Sequence, residues 1–312
     1  MRKTLFTAAL AMFGLTLTLC CVVAGDTNDP SSYNKEIRLN PTKVETYIDR
    51  GSAYMRKRDW KEAIKDFSEA VRLSPNNALP CEWRGGAYFM NDDLDKAIND
   101  FSQAIRLNPT NAATFSNRGS VYRAKGEFGK AISDFSECLK FNPTDSNAYG
   151  SRASAYLTKG DFGKATSDCT EYLRLKPNDA TVLLMRARSQ EKGNQFDEAI
   201  RDYRDAIRLD PKNLEAINGL AWLRSTCREP AIRNGKEAVE TATKACELSN
   251  WKVWHYIDTL AAAYAEVGNF EKAIAYQKEA LDLDVDKADR KCMQQRLEQY
   301  EQREPHREGQ KP

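Results

Sequence analysis

From Val44 to Asn213 the small, aromatic and charged positions of this chain recur every 34 residues. With each period numbered so that a proline falls at position 32, position 8 is Gly51, Gly85, Gly119, Ala153 and Ala187. Position 20 is Ala63, Ala97, Ala131, Ala165 and Ala199. Position 11 is Tyr54, Tyr88, Tyr122 and Tyr156, and position 24 is Phe67, Phe101, Phe135, Cys169 and Tyr203. The pattern predicts two antiparallel helices per period. Small residues at 8 and 20 let them approach closely, while the aromatics fill the space beside them. Breaks such as Lys125-Gly126-Glu127 and Lys159-Gly160-Asp161 separate the two.

The prolines keep the same phase: Pro41, Pro75, Pro109, Pro143, Pro177 and Pro211 are each 34 residues apart. Proline cannot donate to a helical ladder and clashes with the preceding turn, so each ends a helix. Asn or Asp follows in most periods (Asn76-Asn77, Asn111, Asp145, Asn178-Asp179, Asn213), ready to cap the next helix.

This framework of small, aromatic, Ala, aromatic, Ala and Pro positions resembles the tetratricopeptide repeat (TPR). The resemblance implies an all-α fold: an α-solenoid, wound as a right-handed superhelix, whose helix-turn-helix units stack because none buries its apolar face alone. About seven units are expected, at 44–77, 78–111, 112–145, 146–179, 180–213, 214–252 and 253–287. Residues 25–43 read as a linker and a half repeat, with Tyr33, Leu39 and Pro41 in register. Repeat six has an expanded turn containing Pro230 and Gly235. Residues 288–304 read as a C-terminal capping helix with Cys292, Leu297 and Tyr300 on or near one face, and 305–312 as a disordered tail. The last repeats look like the closing units of exported bacterial TPR proteins.

A charged pair follows the same period. Position 7, usually Leu in the family, is Arg50, Arg84, Arg118, Arg152 and Arg186, and position 23 is Asp66, Asp100, Asp134, Asp168 and Asp202. In a hairpin turning near position 15 the two lie at one height. This predicts a structural Arg–Asp ladder, within repeats or between neighbours, in preference to an anion-binding stripe.

Composition narrows the function. The chain is 41% hydrophobic and 29% charged, too rich in charge for one large compact core. Residues 1–24 carry Arg2 and Lys3, an apolar stretch from Leu5 to Leu19, and Val22-Val23-Ala24 before Gly25, which is the layout of a signal peptide. An uncleaved anchor, or lipidation at Cys20 or Cys21, are the alternatives, and each places the protein outside the cytoplasm: periplasmic or cell-envelope, or secreted. Without residues 1–24 the basic and acidic residues are equal in number, so no overall field draws in nucleic acid, and the membrane is reached only through the N-terminal segment. Cys81, Cys138, Cys169, Cys227, Cys246 and Cys292 form no CxxC pair and no metal-ligand cluster, and read as small buried residues.

Catalytic material is sparse. His306 lies in the polar tail, and His255 stands three residues before Asp258, a spacing that suits a hydrogen bond on one helix face. No phosphate loop, nucleophile elbow or zinc-protease motif occurs, so neither an enzyme nor any cofactor is expected.

The resemblance implies instead that a protein or peptide partner lies along the inner face of the first helices, at positions 2, 5, 6, 9, 12 and 13. The candidate groove residues are Ser52, Met55, Glu82, Trp83, Gly86, Phe89, Met90, Asn117, Ser120, Arg123 and Ser154. Position 9 is small in four successive repeats and would leave a trough, with Trp83, Phe89 and Met90 either an apolar anchor pocket or ordinary helix packing. The carboxylate clamp of chaperone-tail-binding members is missing: Ile48, Ser52 and Trp83 stand at its positions. The expected function is a non-enzymatic scaffold or adaptor, with a self-associating structural solenoid as the second reading and an enzyme using the groove as the third.

Overall fold

In the computed structural model, which describes residues 29–309, the described residues form helices and turns without a strand. The proposed signal segment 1–24 and residues 310–312 lie outside the described residues. A 3-10 turn at Pro30–Tyr33 leads into α1 (Asn34–Leu39). Four helical hairpins follow. They are α2 (Val44–Arg56) with α3 (Trp60–Leu73), and α4 (Ala78–Met90) with α5 (Leu94–Leu107). Then come α6 (Ala112–Ala124) with α7 (Phe128–Phe141), and α8 (Ser146–Lys159) with α9 (Phe162–Leu175). These belong to the first of two compact bodies, which ends at Leu175. The second, from Lys176, holds α10 (Ala180–Lys192) with α11 (Phe196–Leu209), and α12 (Leu214–Thr226) with α13 (Gly235–Leu248). It also holds α14 (Trp254–Glu266) with α15 (Phe270–Asp282), and lastly α16 (Lys287–Glu301). The fold is an all-α solenoid of stacked hairpins.

The punctuation of the sequence sets these boundaries. Asn77, Asn111, Asp145, Asp179 and Asn213 each accept a hydrogen bond from an amide of the first helical turn, satisfying donors that have no intrahelical partner. The first helices of repeats one to five end in a left-handed residue: Gly126 (φ 80°) and Gly160 (φ 81°), but also Arg58 (φ 59°), Asp92 (φ 66°) and Asn194 (φ 61°). Behind it an amide reaches back five residues, as from Asp59 N–H to Tyr54 O (2.9 Å), which closes the helix.

The alanines at position 20 are fully buried where the helices cross. Position 8 is small because the ring at position 24 lies against it. A Cβ on Gly51 would sit 2.6 Å from the Phe67 ring, one on Gly85 3.2 Å from Phe101, and one on Gly119 3.0 Å from Phe135. Where position 24 shrinks to Cys169, position 8 has grown to Ala153, and both are buried.

The ladder forms within each repeat. Arg Nε donates to Asp Oδ2 and Nη2 to Oδ1, in a two-pronged clasp of 2.6–2.8 Å, from Arg50–Asp66 through Arg186–Asp202. The remaining nitrogen reaches back one repeat: Arg118 Nη1 to Ser102 Oγ and Arg152 Nη1 to Ser136 Oγ, both at 2.9 Å. Arg50 Nη1 finds Asn34 Oδ1 at 2.7 Å. Asn34 stands 34 residues before Ser68, so α1 holds the register of a second helix. It is a short one, and Leu39 is largely exposed.

Towards the other end, the expanded turn of repeat six contains a 3-10 turn, Pro230–Ile232, pinned by Arg224 Nη1 donating to Ile232 O (2.6 Å). In α16 Met293 and Tyr300 face the core, whereas Cys292 is exposed. The other five cysteines of residues 29–309 are buried free thiols. Residues 305–309, expected to be disordered, instead pack onto the second body. The Glu308 amide donates to Thr226 O (2.9 Å), and Arg307 Nη2 pairs with Glu266 Oε2 (2.6 Å).

Candidate functional site

In the first body α2 packs beside α4, α4 beside α6 and α6 beside α8. The first helices therefore form one layer, and the side chains they turn away from their second helices line a shared face. Position 9 runs along it as Ser52, Gly86, Ser120 and Ser154. Ser52 Oγ donates to Ile48 O (2.8 Å) and Ser120 Oγ to Ser116 O (3.0 Å). With their protons turned to their own helix, these hydroxyls leave little to offer as donors, and the strip is narrow and nearly apolar in character. Ser52 and Gly86 are buried, while Ser120 and Ser154 are half-buried.

Around the strip the candidates separate. Met55, Met90 and Asn117 are half-buried, with atoms open to solvent. Trp83 is half-buried too, stacked on Phe67 with ring centroids 5.7 Å apart and planes 24° from parallel. Phe89 is 5% exposed and packs with Ala97, Phe101 and Val121. Of the two readings of Trp83, Phe89 and Met90, the burial of Phe89 fits ordinary helix packing. Position 12 of repeat two is a core position, because Val121 of the next first helix and the ring of Phe101 cover it.

Two charged groups border the strip. Glu82 Oε1 accepts from Asn111 Nδ2 (2.8 Å) and from Thr114 Oγ1 (2.5 Å), which ties repeat two to the first turn of α6. Burial pushes its carboxyl up, and these two hydrogen bonds oppose the shift. Arg123 is half-buried, and burial draws its guanidinium down from the usual value. Such a face, with an apolar floor, an acid on repeat two and a cation on repeat three, suits an extended chain segment.

His255 packs edge-on against Trp254 and Tyr256, with centroids at 5.4 and 4.1 Å. The expected hydrogen bond from His255 to Asp258 is not made. Asp258 is instead clasped by Arg296, from Nε at 3.0 Å and Nη2 at 2.8 Å, and receives Gln277 Nε2 at 2.8 Å. Among the described residues no group of His, Cys, Asp and Glu is placed to hold a metal ion. The second body carries inner-face residues that the periodic pattern did not single out: Trp222 at position 9 of repeat six, Asp258 at position 5 of repeat seven and Glu266 at its position 13. Trp222 was signalled by its departure from the small residues found elsewhere at position 9, Asp258 only by its spacing from His255, and Glu266 by nothing in the pattern.

Family models described as tetratricopeptide repeat match residues 44–77, 112–145, 146–179, 180–213 and 256–286, and one described as TPR repeat matches 85–126. No curated protein matches. Among solved structures, the C-terminal part of a TPR repeat-containing protein from Cytophaga hutchinsonii aligns with a TM-score of 0.63 at 21% identity. That alignment covers 77% of this chain and 97% of the other. A tetratricopeptide repeat protein from Parabacteroides merdae aligns with a TM-score of 0.55 at 18% identity over 83% of this chain and 98% of its own. YrrB, described as a TPR protein with an unusual peptide-binding site, aligns with a TM-score of 0.54 at 17% identity, covering 61% of this chain and 97% of that one. At these identities the likeness is one of fold.

Proposed function

Because the chain belongs to the tetratricopeptide-repeat family, we propose that it is a non-enzymatic adaptor holding an extended segment of a partner protein along repeats one to four. The observation that carries this reading is the strip of Ser52, Gly86, Ser120 and Ser154 on four adjacent first helices, flanked by half-buried Met55, Trp83, Met90 and Asn117. A backbone can approach such a strip closely, and side chains on either side of it give selectivity. YrrB, of the same fold, is described as peptide-binding. Ser120→Trp, at a half-buried position, should block the strip. A photoreactive group placed at Asn117 should crosslink a partner segment in the parent and lose it in Ser120→Trp; equal crosslinking of the same segment in both removes the groove assignment.

The partner is met outside the cytoplasm, an inference that rests on Arg2, Lys3 and the apolar run to Leu19. N-terminal sequencing of the chain from an envelope or secreted fraction should return Gly25. A chain found whole in the cytosol refutes export.

A further inference from the structure

The second body has an inner face of its own, formed by α10, α12 and α14, with α12 packed against both others. What lies on it is a segment of the same chain. Beyond α16 the backbone turns back through Arg303 in the left-handed region (φ 61°), with Arg303 N–H donating to Tyr300 O (3.0 Å) and Glu304 N–H to Gln299 O (2.9 Å). Pro305 then bars any further helix.

The three residues that follow each meet a different part of this face. The His306 ring lies 5.9 Å from that of Trp222, and its Nδ1 is 3.2 Å from Gln299 Oε1. Arg307 pairs through Nη2 with Glu266 at 2.6 Å and directs Nη1 to Ser225 O at 3.4 Å. Glu308 donates its amide to Thr226 O at 2.9 Å and sets its carboxylate 3.2 Å from Lys192 Nζ. Lys192, Trp222 with Thr226, and Glu266 belong to repeats five, six and seven in turn. Arg296 completes the seat, its guanidinium 5.6 Å over the Trp222 ring.

This is the recognition of an extended peptide: a ring on a ring, a main-chain hydrogen bond, and a cation and an acid each matched by the opposite charge. The Arg307–Glu266 pair is well shielded, at 16% and 14% side-chain exposure, whereas the Lys192–Glu308 pair is open and contributes less. Glu266 keeps a second partner, Arg233 Nε at 3.0 Å, so departure of the segment leaves no stranded carboxylate.

We propose that residues 305–309 occupy in cis a peptide seat on repeats five to seven, and that another protein chain takes the seat with an extended segment bearing a ring, then a cation, then an acid. The proposal rests on the reading that inner faces of this protein bind peptides, and it adds a second site, closed until its own segment leaves. A tethered segment competes at an effective concentration on the order of millimolar, so a free peptide reaches the seat only weakly in the intact chain.

The test uses the full chain and a fluorescent peptide with the sequence of residues 302–309. His306→Ala combined with Arg307→Ala in the protein should empty the seat and raise affinity for the peptide at least tenfold over the parent. The same two changes placed in the peptide should abolish that gain. Equal affinity of parent and variant protein, or undiminished binding of the altered peptide, overturns the proposal. If circular dichroism shows the variant unfolded, amide exchange in the unaltered chain decides: slow exchange at Glu308 supports the seat, and exchange at the free-peptide rate overturns it. Ser120→Trp should leave this peptide binding unchanged, so the two sites fail independently.

Discussion

Arg118 clasps Asp134 through two parallel hydrogen bonds of 2.8 Å, and the acid it holds is 4% exposed. Removing the cation leaves a buried carboxylate with no counter-charge, the costly half of any buried pair. Arg118→Ala should therefore lower stability by about 3–5 kcal/mol, read from urea unfolding, with peptide binding at 25 °C changed far less. Arg118→Leu with Asp134→Leu should recover most of the loss, since position 7 is usually leucine in this family. A single variant as stable as the parent refutes the structural reading of the ladder.

The sign of a glycine-to-alanine change should depend on what lies over the glycine. In Gly51→Ala the new methyl meets the fully buried Phe67 ring at 2.6 Å, and overpacking of that kind costs roughly 1–3 kcal/mol against a propensity gain of about 1. Gly129→Ala meets nothing within 4 Å and should stabilise, by roughly 0.5 kcal/mol. Melting temperatures of the two variants should move apart; both rising would contradict the close approach.

The repeat, its caps and the Arg–Asp clasp were all legible in the sequence, because five copies reinforce each position and the two charges keep a constant 16-residue separation. Ser52, Gly86, Ser120 and Ser154 stand on four successive first helices. Phe89 was not legible as core: amphipathic spacing marks it as one of several apolar residues, and only the arrival of Val121 from the next helix buries it. The docking of residues 305–309 left no trace either. It depends on single charge pairs and on one ring beside Trp222, so neither hydrophobic content nor periodicity records it. For the same reason His255 and Asp258 read as a pair, although Arg296 claims the acid from 38 positions away.

Thiol chemistry offers a check on the packing. Burial pushes the Cys138 and Cys246 thiols up to about 12 and raises those of Cys81 and Cys227, while Cys292 is exposed. With Cys20 and Cys21 replaced by Ser, one thiol per native chain should react promptly with a disulfide-exchange reagent, and Cys292→Ser should abolish that reaction. Prompt reaction at two or more sites would contradict the buried placement.

Docking of residues 305–309 should depend on pH. Burial, aided by Arg296 and Arg307 and opposed by Glu308, lowers the His306 imidazole to about 4, against a free value of about 6.5. The docked ring binds its proton less readily than the free one, so docking is at full strength above pH ~6.5 and weakens as pH falls towards 4, by up to about tenfold per unit. The protection factor of the Glu308 amide, its exchange rate relative to an unstructured peptide at the same pH, should fall accordingly over that range. His306→Gln should flatten the dependence, and an unchanged profile in that variant would assign the effect to another group.

The third nitrogen of each ladder arginine sets a rule for rebuilding this protein. Because Arg118 Nη1 leans on Ser102 and Arg152 Nη1 on Ser136, the cations of repeats three and four are each shared with the repeat before. A 34-residue cassette copied from repeat three and spliced in after it would meet the right hydroxyl behind and supply one ahead. Splicing in 33 or 35 residues would break the relay at the junction. Upstream of repeat one the acceptor is Asn34, so a longer array grafted there must bring a hydroxyl or amide to that one register, and otherwise any sequence that keeps the helical face will serve.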